Sequence, residues 1–182
     1  APWVPREVAP NGVDLIVEAR MRDGVSTLHR LDVQSGKLAE QLVSSPHHDA
    51  SETELQFSAK DGHLLAAVTR DETYSTTFFD KSLAELHAEL SAAFPGKKLS
   101  LQRAEGGRTL VDVWSDRLPH TYYLFDEASA KLRLVLRSRV DLGEKDLVEM
   151  HPFVLKTRDG LEIPSYYFLP ASYQPGQKLP TV

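Results

Sequence analysis

Apolar and polar positions alternate through most of this chain, in short runs broken by turn residues. DLIVEARM (14–21), LQFSA (55–59), LLAAVTR (64–70), TLVDVWS (109–115) and TYYLF (121–125) are rich in β-branched, aromatic or alternating apolar residues. That pattern predicts strands separated by turns. One segment departs from the two-residue period. In SLAELHAELSAAFPG, Ser82 to Gly96, the residues Leu83, Leu86, Leu90 and Phe94 recur at helical spacing and share one face. Ser82 with Glu85 reads as a capping box, and Pro95-Gly96 as the stop signal. Further on, VLKTRDGLEIPSYYFL (154–169) predicts two strands around an Asp-Gly hairpin turn, with Pro164 placing the second strand at an edge.

The strand pattern repeats. LHRLDVQSGKLAEQLV (28–43) and YYLFDEASAKLRLVLR (122–137) share an apolar residue, an Asp, a Ser and a Lys-Leu pair at the same spacing. Asp32 matches Asp126, Ser35 matches Ser129, and Lys37-Leu38 matches Lys131-Leu132, at an offset of 94 residues. A half copy lies between them in TTFFDKSL, where Asp80 follows Phe78-Phe79; the three aspartates are 48 and 46 residues apart. Each Asp starts a tight turn by holding the backbone with its side chain. Arg22-Asp23-Gly24, Lys60-Asp61-Gly62 and Glu105-Gly106-Gly107-Arg108 read as the matching turns upstream. A unit of this length with about four short strands is the signature of a β-propeller blade. The fold expected is therefore mostly β. Residues 1–140 form about three blades of a partial propeller, and the helix replaces the outer strand of the middle one. Since propellers close with about four to eight blades, further blades are expected ahead of Ala1. The polar segment SRVDLGEKDLVEM (138–150) reads as a linker, with the domain boundary at 141–150.

Composition narrows the class. Hydrophobic residues make up 41% of 182, enough for a core. The net charge of -5 comes from interspersed signs, without the basic stripe of a nucleic-acid binder. No run of eighteen apolar residues and no secretory leader is visible. Cysteine is absent, which removes disulfides, thiolate nucleophiles and Cys-based zinc sites. Cytoplasm and periplasm are both left open.

From about Asp71 to Val182 the chain resembles the prolyl oligopeptidase family of serine peptidases, in its dipeptidyl-aminopeptidase and acylaminoacyl-peptidase branch. The residues that carry this are the Asp80 turn with its helix and Phe94-Pro95-Gly96, the stretch Leu110 to Val135, and HPFVLKTRDGLEIPSYYFLP, His151 to Pro170. The last is the most specific. Arg158, Asp159, Gly160, Leu161, Ile163, Pro164, Tyr166, Leu169 and Pro170 match the segment that opens the family's α/β-hydrolase domain. The resemblance implies that 151–182 holds the first hydrolase strands, and that Leu179-Pro180-Thr181-Val182 is the start of a strand continuing into a His-Gly-Gly-Pro turn. It also implies that the catalytic Ser, His and Asp lie outside this chain, and that the propeller gates access of peptides to them. The partners implied are the remainder of the same protein and a peptide substrate. A homo-oligomer is left open.

The residues themselves offer little catalytic chemistry. No Gly-x-Ser-x-Gly elbow, no His-Glu-x-x-His and no glycine-rich phosphate loop occurs. His47-His48-Asp49 is a poor metal site, because adjacent side chains on an extended segment point apart. His29, His63, His87 and His120 are expected in surface or hydrogen-bonded roles, and His151 in a structural one. Trp114 reads as a sheet residue, and Arg133, Arg137 and Arg139 as a solvated face or a domain contact. No catalytic residue, metal or cofactor is assigned. Two functions follow: the non-catalytic part of a serine peptidase, or a stand-alone β-propeller binding module.

Overall fold

The computed structural model describes residues 3–20, 25–44, 49–69 and 74–180. The chain runs as three antiparallel meanders and a hairpin. The first sheet is β1 (Trp3–Val8), β2 (Leu15–Arg20), β3 (Ser26–Asp32) and β4 (Lys37–Val43), paired in chain order. The second has three strands, β5 (Glu54–Phe57), β6 (Leu64–Thr69) and β7 (Ser75–Phe78), followed by α1 (Lys81–Ala93). The third is β8 (Lys98–Ala104), β9 (Arg108–Ser115), β10 (Leu118–Asp126) and β11 (Lys131–Arg137). The hairpin is β12 (Met150–Lys156) and β13 (Glu162–Phe168). None of the four sheets closes on itself, and the mostly-β expectation holds.

The middle sheet is the hub of the packing. One apolar cluster joins Ile16, Leu28, Leu42 and Val43 of the first sheet to Leu64 and Ala67 of β6. A second joins Leu65 and Ala66 of β6 to Leu83, Leu86 and Leu90 of α1 and to Leu99, Leu101, Val111 and Val113 of the third sheet. β6 is therefore buried along its whole length, which accounts for its unbroken apolar run. Each fully buried Leu or Val in these clusters contributes about 1.5–3 kcal/mol by leaving water. The helical period of α1 follows the same demand: Leu83, Leu86 and Leu90 all face the second cluster.

Gly62 fixes the approach of the first two sheets. Its φ is +70°, and a Cβ there would lie 2.3 Å from the backbone nitrogen of Asn11. Only glycine allows the β5–β6 turn to meet the β1–β2 turn so closely.

Of the three repeated aspartates, Asp32 and Asp126 end the third strands of their sheets, and Asp80 lies two residues past the third strand of its own. Two of them make the expected turn. Asp32 accepts hydrogen bonds from Gln34 N (2.9 Å) and Ser35 Oγ (2.8 Å). Asp126 accepts from Ser129 N (2.9 Å) and Ser129 Oγ (2.7 Å). The next residue is left-handed in both turns, Gly36 at φ 66° and Ala130 at φ 51°. The third aspartate does something else. Asp80 is the N-cap of α1 and accepts from Leu83 N at 2.7 Å. This corrects the expected capping box: Ser82 lies inside the first turn, and its hydroxyl donates to Asp80 at 2.6 Å. Glu85 instead pairs with Lys81 at 3.4 Å on the exposed face.

The upstream turns also need one correction. Asp61-Gly62 and Gly106-Gly107 each join the first two strands of their sheets, but residues 21–24 fall between the second and third strands. The true counterpart in the first sheet is Asn11-Gly12. Gly12 lies 20 residues ahead of Asp32, as Gly62 lies 18 ahead of Asp80, whereas Gly24 lies only 8 ahead. The Arg22-Asp23-Gly24 turn itself lies outside the described residues.

Candidate functional site

The β12–β13 hairpin follows the third sheet through a short 3-10 turn at Glu144–Asp146. Its seven cross-strand pairs run from Met150↔Phe168 to Lys156↔Glu162 without a register break. Thr157 closes the turn, its hydroxyl accepting from Leu161 N at 2.9 Å. Because side chains alternate, the pairing sorts the hairpin into two faces. Met150, Pro152 and Val154 share one face with Phe168, Tyr166 and Pro164. His151, Phe153 and Leu155 share the other with Tyr167, Ser165 and Ile163. Both faces are apolar, yet Phe153, Val154, Leu155, Ile163, Tyr166, Tyr167 and Phe168 are each at least 40% exposed. Local ring contacts organise the second face, with His151 stacked on Tyr167 at 4.9 Å and Phe153 tilted against it at 5.8 Å.

The first face, together with Phe153 and Ser165, closes a cleft of about 790 Å³ against the end of the third sheet. Trp114 of β9 and Lys98 of β8, which are cross-strand partners, form the opposite wall. Asp116 pins the hairpin there by accepting from Met150 N at 2.9 Å. A second tie is Lys97 Nζ to Glu144, at 2.8 Å.

A second cleft, of about 690 Å³ and holding several charged side chains, lies where the β5–β6 turn, the start of α1 and the β8–β9 turn meet. Arg103 of β8 is its anchor. The guanidinium donates to Ser82 Oγ at 2.9 Å and to Asp80 at 3.3 Å, and its Nε lies 3.3 Å from a Glu127 carboxylate oxygen. His63 bridges two carboxylates, at 2.5 Å from Asp61 and 3.8 Å from Asp80. The Ser58 hydroxyl and then His63 lower Asp61 to about 2. Asp80 is lowered by the Ser82 hydroxyl first, with the Leu83 N–H and Arg103 adding to it. These groups pair with one another and stitch α1 to its neighbours, although Arg103 Nε makes no hydrogen bond among the described residues.

No family model and no curated protein gives a significant match to this chain.

The remaining histidines take hydrogen-bonded positions. His29 is buried in the first sheet, 2.9 Å from Thr27 Oγ1, and burial lowers its pKa. His120 holds Asp112 at 2.8 Å and stacks on Trp114 at 5.0 Å. His87 lies 3.5 Å from Ser91 on the next turn of α1, and burial lowers its pKa as well. No carboxylate orients the His87 ring among the described residues, so that pair lacks the geometry of a nucleophile and its base. Asp49 caps a short 3-10 turn, accepting from Ser51 N at 3.1 Å and from the Ser26 hydroxyl. His47 and His48 lie outside the described residues. Among the described residues no three His, Asp or Glu side chains gather as a metal requires. Arg133 and Arg137 are exposed on β11, and Arg139 pairs with Asp141 at 2.7 Å.

Proposed function

We propose that this chain is the non-catalytic, access-controlling part of a serine peptidase of the prolyl oligopeptidase type. In this reading the three stacked sheets are consecutive blades of a β-propeller, with α1 standing in for the outer strand of the middle blade. The β12–β13 hairpin opens an α/β-hydrolase domain whose remaining polypeptide supplies the Ser-His-Asp triad. Substrates are peptides, hydrolysed through an acyl-enzyme, and the propeller admits short or unfolded ones.

One observation carries the reading: the hairpin is apolar on both faces while pairing only with itself. Strands apolar on both faces need cover on both, which the helices of an α/β sheet provide, and an isolated two-stranded hairpin is marginal in water. Such a sequence is what the edge of a hydrolase sheet needs. The Arg158-Asp159-Gly160 turn and the tracts on either side of it, which carry the family resemblance, form this same hairpin.

The test is to purify the protein from its source cells with antibodies raised against this chain. The sample is then labelled with a fluorophosphonate serine-hydrolase probe, and every polypeptide in it is weighed intact. The expected result is label on a serine outside residues 1–182, in a polypeptide that contains or co-purifies with this chain. If no such polypeptide takes label, the reading fails and a β-propeller binding module replaces it. Label within residues 1–182 would contradict it in a different way, by revealing a nucleophile here.

A further inference from the structure

We infer that the cleft between the third sheet and the β12–β13 hairpin binds an amphipathic carboxylate, an apolar chain or ring that carries one anionic end. This does not rest on the proposed peptidase role: it is argued from the lining and charge of the cleft itself, whatever covers the outward Leu155 and Ile163.

Three features lead to this ligand class. The first is size: about 790 Å³ lies within the range of small-molecule pockets, roughly 300–1,000 Å³. The second is the lining. Trp114 stands opposite Pro152, Val154, Tyr166 and Phe168, and these walls favour an apolar body over a hydrated one. The third is the placement of charge. Asp116 is tied down by the backbone nitrogen of Met150 at 2.9 Å. Lys98 lines the same cleft and has no ion-pair partner within 4.0 Å among the described residues, whereas its neighbour Lys97 is paired with Glu144. An ammonium at the rim of an apolar cleft pairs with a carboxylate while its methylene stem covers the ligand's chain.

The protein carries its own reporter, since Trp3 and Trp114 are its two tryptophans. Decanoate would be titrated into the chain below its micelle concentration, reading tryptophan fluorescence and heat together. Decanol and decyltrimethylammonium serve as neutral and cationic controls, and Trp3→Phe assigns the signal. Decanoate should saturate one site and keep its fluorescence change in Trp3→Phe. Lys98→Met should weaken decanoate by about fivefold, the scale of one exposed ion pair, and leave decanol unchanged. Tyr166→Asp, which puts a negative charge in the apolar wall, should weaken decanoate and decanol, with circular dichroism confirming that the variant is folded. Four results would overturn the inference: no saturable signal by either readout, decanol binding as well as decanoate, tighter binding of the cation, or no effect of Lys98→Met on decanoate.

Discussion

In the sheet stack, β6 runs Leu64 to Val68 through cores on both sides, and all five residues are 4% exposed or less. In the hairpin, Phe153, Val154 and Leu155 run through an equally apolar sequence, and each is more than 40% exposed. A continuous apolar run is a demand for cover on both faces. For β6 the first and third sheets and α1 meet that demand. For β12–β13 it is met on neither face: Val154, Tyr166 and Phe168 toward the third sheet are as exposed as Phe153, Leu155 and Ile163 on the other side. The contrast separates a strand whose two apolar faces are covered from a hairpin whose two apolar faces are not.

The comparison can be broken most severely at the close approach between the first two sheets. Gly62→Ala should cost on the order of 3 kcal/mol or more, because the new Cβ meets Asn11 backbone at 2.3 Å and φ is left-handed. Urea unfolding measures this directly. Next comes a matched pair. Leu83→Ala empties a fully buried position in α1 and should cost about 3 kcal/mol. Ile163→Ala, on the exposed hairpin, should cost less than about 0.5 kcal/mol by the same measurement. Equal losses would erase the distinction between the two regions.

Acid should act on the stack. Burial lowers the pKa of His29 and of His87 below the ordinary 6.5. The unfolded chain therefore takes up protons first as pH falls below about 6.5, and stability declines from there until the folded-state values are reached. Thermal melts between pH 7.5 and pH 5 should show the decline, and replacing His29 and His87 with Gln should flatten it.

Two substitutions should raise stability. The Thr109 hydroxyl is fully buried and has no hydrogen-bond partner among the described residues. Thr109→Val keeps the shape and should gain about 1 kcal/mol. The smaller of the two gains is expected in the turn after Asp126. Ala130 is left-handed at φ 51°, where the equivalent residue after Asp32 is Gly36 at φ 66°. Ala130→Gly should gain about 0.5–1 kcal/mol by removing the Cβ strain, although the freer unfolded chain offsets part of it.

How far the sequence reveals these regions depends on whether the cause is local. The Asp32 and Asp126 turns, the face of α1 and the hairpin around Asp159-Gly160 all follow from residues within a few positions of one another, and all were legible. The role of Asp80 was not, because the same residue type that starts a hairpin turn also caps a helix. The residues that follow decide: Ser35 and Ser129 complete turns, whereas Ser82 precedes a helical period. The equivalence of Gly12 with Gly62 was hidden by an equally plausible Asp-Gly nearby, and only the strand count separates them. The partnership of Arg103 with Asp80 and the wall of Lys98 and Trp114 against the hairpin join residues far apart in the chain, which periodicity does not report.

The most direct test of the contrast is hydrogen–deuterium exchange of the 182-residue chain under native conditions, read as peptides from 109–126 and 150–168. The account predicts strong protection in β9 and β10, and exchange within minutes in β12 and β13. If the hairpin amides are as protected as those of β9 and β10, the hairpin is complete as it stands. The claim that it is the uncovered edge of a further domain would then be contradicted.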